Sequence, residues 1–462
     1  MPQISVIGAG SVVFTGRLII DLCLTRSLYG STVVLMDIDE KRLNMMYNLA
    51  TRYVKEMNAS FTIKKTMNRK EALSHADFVV NTVKVGGYEP MEIERKIAEK
   101  YGYYRGIGDR VSDYYGGVGA YHQLNFFLNL ARDVEEICPD AWLLQAANPV
   151  FEGTTLISRE TKAKVVGICH GHFSYTEIVK ALGLEIEDVD VIIAGFNHNI
   201  WLANFLYRGK NAYPILDQWI EKEAEKYWRS SEFQNNPPWS VEQLSSAAVN
   251  MYKLYGLFPI GDTVRSASPW WYHIDLETKK KWFGPTGGFD SEIGWSMYLN
   301  QLRAMFDQLY AWSNNPEVAL TKAYPPSLSG EQHIPFIDAI ANNKEVQLQL
   351  NIPNSGAIDG IPNNVVVEVP TLIRKSNDDR GKVNALRVGK LPKRLMLHVL
   401  IPRMLRMEQV LQAFLEGDRK SLLLTIMDDH RTKSFEDASM LLEEQLGQPW
   451  NSEASKHYKN VR

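Results

Sequence analysis

Hydrophobic and polar positions alternate in two rhythms through residue 199. Short apolar runs predict buried strands at residues 4–7, 32–36, 78–83, 142–145, 165–168 and 189–194. Helices are predicted between them. Leu18, Ile20, Leu22 and Leu24 mark a helix after the first strand, and residues 40–57 and 123–137 are rich in good helix formers. Strands alternating with helices predict a doubly wound parallel sheet. After Asn199 the pattern changes. Residues 213–227 predict a polar amphipathic helix, and 231–240 and 324–329 read as loops. Residues 347–351 and 365–369 predict strands, and 391–415 and 434–446 predict helices. No repeat or low-complexity tract interrupts this order. The expectation is an α/β chain with a Rossmann-type domain over residues 1–199. A mixed α+β domain over 200–462 closes the site and carries oligomer contacts.

Composition narrows the class. The chain has 462 residues, 45% hydrophobic and 23% charged, as expected of a globular protein with a large core. A formal net charge of -3 gives no basic field for nucleic acid or an anionic membrane. No stretch is apolar for long enough to span a bilayer. Cys23, Cys138 and Cys169 are too few and odd in number for a disulfide framework, so a reducing compartment is expected. The start MPQISVIGAG runs straight into a strand without a signal-peptide pattern. These features predict a cytoplasmic protein whose partners are a small molecule and further copies of itself, as a homodimer or homotetramer.

The first turn carries candidate chemistry. Gly8, Gly10 and Ser11 follow a strand and precede a helix, where glycines let backbone approach a pyrophosphate and free N–H groups face its charge. Val13 replaces the third glycine of the full pattern, so the motif alone also fits an ordinary turn. Asp37 ends the second strand, where a carboxylate holds a ribose hydroxyl and repels a 2′-phosphate, which favours NAD over NADP. The run LLQAANPV, with Asn148-Pro149, resembles the turn beside the nicotinamide in lactate and malate dehydrogenases.

A second constellation follows. Cys169 ends a strand in ICHGH, and His198 ends the next in GFNHN. If both strands belong to one parallel sheet, both ends face one crevice at its carboxyl edge. A thiolate and an imidazole suit a divalent transition metal, with open positions for substrate oxygens. A buried cysteine and a hydrogen-bonded histidine explain the same residues without a metal.

The segments SVIGAGS, ADFVVNT, AANP, CHGH, FNH, GDTVR and SGEQHIPF occur in one order along nearly the whole chain. Together they resemble glycoside hydrolase family 4, which hydrolyses glycosides with NAD rather than two carboxylates. The resemblance implies a lactate/malate dehydrogenase-like fold and a catalytic NAD. C3 of the sugar is oxidised, C2 is deprotonated, the aglycone is eliminated, water adds and C3 is reduced again. It implies a divalent metal, usually Mn2+, on Cys169 and His198. It makes His170 the proton donor, Asp262 the proton acceptor and Asn148 a substrate residue. Asp113 lies where members carry an acidic residue near the sugar, on a loose local alignment. Asp262 also fits a helix cap or turn. His172 fits a substrate or a framework role, and Arg265 either binds substrate or pairs with Asp262. Glu331 and His333 sit in a loop that edges the family's site, where a structural role fits them.

Branches acting on phosphorylated sugars carry Cys-Asp or Cys-Asn and then a pair ending in proline. Cys169-His170-Gly171-His172 resembles the unphosphorylated branch instead. His172 in the last place favours α-glucuronides, whose carboxylate His172 or Arg265 would receive. An α-glucosidase or α-galactosidase of the same family is the alternative. A malate/lactate-type NAD dehydrogenase is the alternative from another class.

Overall fold

The computed structural model describes residues 1–106, 111–112, 114–374 and 383–459. Its parallel half contains β1 (Gln3–Ile7), β2 (Thr32–Met36), β3 (Thr62–Thr66), β4 (Phe78–Asn81), β5 (Trp142–Gln145) and β6 (Lys164–Gly167). Their order is β3-β2-β1-β4-β5-β6, all parallel. This is the strand order of a dinucleotide-binding sheet, with its switch point between β1 and β4. β4 and β5 are buried at every position, which is why they read as continuous apolar runs. β3, TIKKT, is an edge strand with no buried residue. Its sequence therefore carries no apolar pattern to predict it.

The sheet does not stop at β6. The remaining strands are β7 (Val189–Phe196), β8 (Asn199–Tyr207), β9 (Lys210–Asn211), β10 (Pro259–Ile260), β11 (Val346–Pro353), β12 (Val366–Ile373) and β13 (Val383–Ala385). β11 joins β6 through the antiparallel pair Asn351↔Gly167. β12 lies antiparallel along β11 from Val346↔Ile373 to Pro353↔Val366. It meets β7 at Glu368↔Gly195. The expectation that residues 189–194 continue the parallel sheet is therefore corrected. β7 is an antiparallel hairpin partner of β8, separated from β6 by two strands from late in the chain. Apolar patterning reports burial but not strand direction.

Helix boundaries shift where local chemistry demands it. Residues 213–227 form two helices, Tyr213–Lys222 and Ala224–Trp228. Within 231–240 a short helix, Ser231–Asn235, replaces part of the expected loop, with Ser230 accepting the Phe233 N–H as its cap. The 391–415 run becomes Lys393–Leu395, a π turn at Met396–Leu400 and helix Ile401–Glu416. Pro402 has no N–H for the i−4 ladder, and the wider π turn absorbs that break. Helix Glu292–Asn314 has no counterpart in the sequence reading. Only Gly294, Trp295 and Ser313 are buried along its length, so the pattern of a half-buried helix is missing. No helix among the described residues is long and apolar enough to cross a membrane.

The two halves share a core. Phe151, in helix Val150–Glu160, stacks on Phe196 of β7 with centroids 4.5 Å apart, and the Arg403 guanidinium lies over the Phe151 ring at 4.8 Å. Arg403 also pairs with buried Glu152 at 2.6 Å. Phe151→Ala is expected to cost about 3–5 kcal/mol, the usual penalty for emptying a buried aromatic site. Urea denaturation measures it. A loss below about 1 kcal/mol would show that the halves are held elsewhere.

Candidate active site

The glycine turn and its partners line one cleft of about 1610 Å³, which brings Gly8, Gly10, Ser11, Asp37 and Asn148 together. Gly8 and Ala9 donate to Met36 O at 2.9 Å, so the turn is anchored on the end of β2. Gly10 donates to Asp37 Oδ2 at 2.7 Å, and a Cβ on Gly10 would lie 2.8 Å from that oxygen. Asp37 Oδ1 accepts from Asp39 N at 2.9 Å. The carboxylate thus locks the loop and still faces the cleft. The following helix starts at Thr15 rather than at Ser11, and Ser11 Oγ accepts from Phe14 N at 3.3 Å. Asn148 Oδ1 is buried without a hydrogen-bond partner. A bound hydroxyl would satisfy it.

The second cluster forms where GDTVR packs on CHGH. Gly261 has φ +59, and a Cβ there would sit 2.5 Å from Gly171 O. Only glycine lets these backbones meet. That contact sets Asp262 beside the segment carrying Cys169 and His170. Asp262 occupies an N-cap position, but its side chain does not cap the helix. Oδ2 instead lies 3.0 Å from His198 Nε2, and Oδ1 pairs with Arg265. His198 is in the β7–β8 turn at φ 56, and its Nδ1 contacts the Tyr115 hydroxyl at 3.0 Å. Burial resists ionisation of Asp262, but the Arg265 guanidinium together with His198 and His170 outweighs it and holds the carboxyl below its ordinary range. Burial pushes His198 down and keeps it neutral, the form a metal ligand needs.

His170 stands apart from that pair. Its Nδ1 lies 3.0 Å from Glu331 Oε1; His170 is 59% exposed and Glu331 only 7%. The Glu331 hydrogen bond raises the His170 pKa. Asp262 and His170 therefore sit in different surroundings, the carboxyl favoured in its ionised form and the imidazole in its protonated one.

The other predicted residues have mixed placements. His172 Nδ1 donates to Cys169 O at 3.3 Å, and Nε2 accepts from Gln332 at 2.9 Å. Burial pushes it down to about 4, so it is a neutral framework group. The Arg265 guanidinium faces Asp262, Glu242 at 2.9 Å and Asp290 at 3.9 Å, and lies over Phe289. Both side chains expected to receive a carboxylate are thus occupied by the protein. Asp113 lies outside the described residues. The sequence reading missed Tyr115, Glu242 and Glu368, which no local motif distinguishes. Glu331 was legible only as part of SGEQHIPF.

The donor set fits a divalent cation. Cys169 is a free, partly exposed thiol at the end of β6. Burial, with Glu368 and Asp262 nearby, pushes its pKa well up, so ligation must displace its proton. Tyr115 on Nδ1 fixes the His198 ring, and Nε2, which faces Asp262 Oδ2 at 3.0 Å, is the nitrogen an ion would take, an outer-shell arrangement typical of metal histidines. Among the described residues no three His, Cys, Asp or Glu side chains form a complete ion cage. A thiolate–imidazole pair leaves room for substrate oxygens.

Two substitutions test this geometry. Gly261→Ala places a Cβ against Gly171 O at positive φ and is expected to destabilise by about 1–3 kcal/mol, measured by denaturant titration. Glu177, in helix Tyr175–Ala181, is pushed up to about 7 by burial and by nearby Glu242. Its folded pKa exceeds the unfolded value, so its stabilisation is full below about 4.5 and lost as pH rises through 7. Glu177→Gln should flatten the fall in thermal midpoint over that window. An unchanged slope would rule the group out.

Residues 3–185 match the Family 4 glycosyl hydrolase family, and residues 193–432 match the Family 4 glycosyl hydrolase C-terminal domain. An α-galactosidase of Bacillus subtilis (strain 168) is 30% identical over 404 residues, covering 86% of this chain and 85% of its own. An α-galacturonidase of Thermoanaerobacterium saccharolyticum is 27% identical over 463 residues, covering 96% and 94%. A 6-phospho-α-glucosidase from gut microorganisms, solved in complex with NAD and Mn2+, superimposes with a TM-score of 0.78 at 16% identity over 100% of both chains. With both parts of the family matched in order across one continuous sheet, the chain belongs to the family 4 glycosyl hydrolases and is a glycoside hydrolase.

Proposed function

We propose that this enzyme hydrolyses unphosphorylated α-glycosides, α-glucuronides foremost, using NAD and a divalent cation, Mn2+ by the chemistry of its relatives. The observation that carries the reading is the pair Asp262 and His170, one held ionised by Arg265 beside His198 and the other held by Glu331. When bound, the dinucleotide takes and returns the C3 hydride and the cation polarises the C2 and C3 oxygens.

This chain's residues do the rest. Gly8, Gly10, Ser11 and Asp37 seat the dinucleotide. Cys169 and His198 hold the cation, and Asn148 Oδ1 accepts a sugar hydroxyl. Asp262 takes the C2 proton. His170, with Nδ1 on Glu331, presents Nε2–H to the glycosidic oxygen and makes the aglycone a neutral leaving group. Water then adds at C1, giving one proton back to His170 Nε2, and the proton on Asp262 returns to C2.

The CHGH segment and the α-galacturonidase relative support a uronide. With His172 neutral and Arg265 paired, the cation for its carboxylate has to come from elsewhere. Arg17 is the group we assign. It shares a face of helix Thr15–Leu24 with Asp21, which accepts the Ser329 N–H at 2.8 Å, and its charge reaches His170 and Glu331. A neutral α-glucoside or α-galactoside is the alternative, and the α-galactosidase relative favours it. Three free cysteines suit a cytoplasmic setting. Exposed Trp270, Trp271, Ile274 and Leu397 support a homo-oligomer.

The test is a panel of nitrophenyl α-glycosides, including the glucuronide, with NAD and Mn2+ under reducing conditions. Hydrolysis should stop when NAD and metal are removed, and a C2-deuterated substrate should react more slowly. His170→Ala and Asp262→Asn should each lower kcat about 10²–10⁴-fold. NADH accumulating with turnover would instead identify a dehydrogenase.

A further inference from the structure

Four residues align across the sheet beneath the two proposed metal ligands. Gly167 of β6 pairs with Asn351 of β11, Asn351 with Glu368 of β12, and Glu368 with Gly195 of β7. Gly167 precedes Cys169 by two positions, and Gly195 precedes His198 by three. Glu368 therefore lies under both ligand-bearing segments, although it belongs to the second half of the chain.

Its surroundings are unusual for a carboxylate. Glu368 and Asn351 are 0% exposed and Asn197 is 3% exposed. Asn197 Nδ2 donates to Glu368 Oε2 at 3.0 Å. Asn197 directly precedes His198 in the β7–β8 turn. Asn351 Nδ2 reaches Gly167 O at 3.4 Å. Glu368 Oε1 is buried with no hydrogen-bond partner. Burial pushes the Glu368 carboxyl up to about 7, with the Asn197 and Asn351 side chains opposing it, so keeping a carboxylate here costs stability. Hydrogen bonding within the fold does not repay that cost, because an amide would serve Asn197 as well.

We propose that Glu368 is a positioning residue for the metal site, holding the Asn197–His198 turn through the Asn197 amide and adding an outer negative charge that favours a divalent cation. The proposal rests on Cys169 and His198 being the ligands. It accounts for a carboxylate, rather than its amide, at the centre of the sheet. Outer-shell groups of this kind set ligand direction and metal affinity together. It also makes metal binding depend on the seating of β12, so the second half of the chain takes part in a site whose ligands lie in β6 and the β7–β8 turn.

The experiment is titration of the purified full chain with Mn(II) alone, free ion being read by electron paramagnetic resonance. Glu368→Gln keeps the volume and an acceptor for Asn197 while removing the charge. Its Kd for Mn(II) is expected to rise about 10–100-fold, with a thermal midpoint no lower than wild type. A Kd within twofold of wild type overturns the proposal and leaves Glu368 a structural group. If Glu368→Gln does not fold, Glu368→Asp is read the same way, since the shorter arm withdraws the carboxylate from Asn197. Cys169→Ser separates the two ideas. If it binds Mn(II) as tightly as wild type, the ligand assignment itself fails; if it does not and Glu368→Gln does, only the role of Glu368 fails.

Discussion

The site depends on how a parallel sheet is joined to an antiparallel one. β6 and β7 are not neighbours, and each meets the inserted pair β11–β12 through one bridge, Asn351↔Gly167 and Glu368↔Gly195. Those bridges fall at the ends of β6 and β7, next to Cys169 and His198. Long ladders there would have carried the two strands past one another. Single bridges let both chains leave the sheet at the same level, just before Cys169 and His198. The stacked pair Phe151 and Phe196 fills the space behind this junction, and Arg403 with Glu152 seals it.

Charge is distributed with similar economy. Arg265 faces three carboxylates and acts as a fixed counter-charge that keeps Asp262 ionised without titrating itself. Glu331 does the converse for His170, raising its proton affinity from a buried position. His172 is held neutral between Cys169 O and Gln332, so it shapes the CHGH turn rather than charging it. One short stretch of chain therefore holds an imidazole poised to carry a proton and another that does not. Their different partners on the 331–332 loop, rather than their sequence neighbours, produce the difference.

The sheet of the first half was legible because β1, β2, β4, β5 and β6 are buried and short, and burial writes itself as apolar runs. β3 was not, because an exposed edge leaves no such record. Helix Glu292–Asn314 escaped for the same reason. The direction and neighbours of β7 were illegible in principle. Its apolar residues are equally compatible with parallel and antiparallel partners, and its partner β12 lies about 170 positions away in the chain.

The amino-acid order by itself determined the glycine turn at Gly8 and Gly10, the carboxylate at Asp37, and the identity of the chemistry-bearing groups Cys169, His170, His198 and Asp262. These are local facts: a turn needs residues without Cβ, a strand end presents whatever follows it, and side-chain chemistry is fixed by residue type. Only the tertiary structure decided which groups are charged and which are occupied. Arg265 and His172 looked available for an anion until the folded chain paired one with carboxylates and buried the other. Glu368 read as a strand residue until three separate segments closed around it. Protonation and pairing depend on distance and dielectric, and those are set by contacts between residues far apart in sequence.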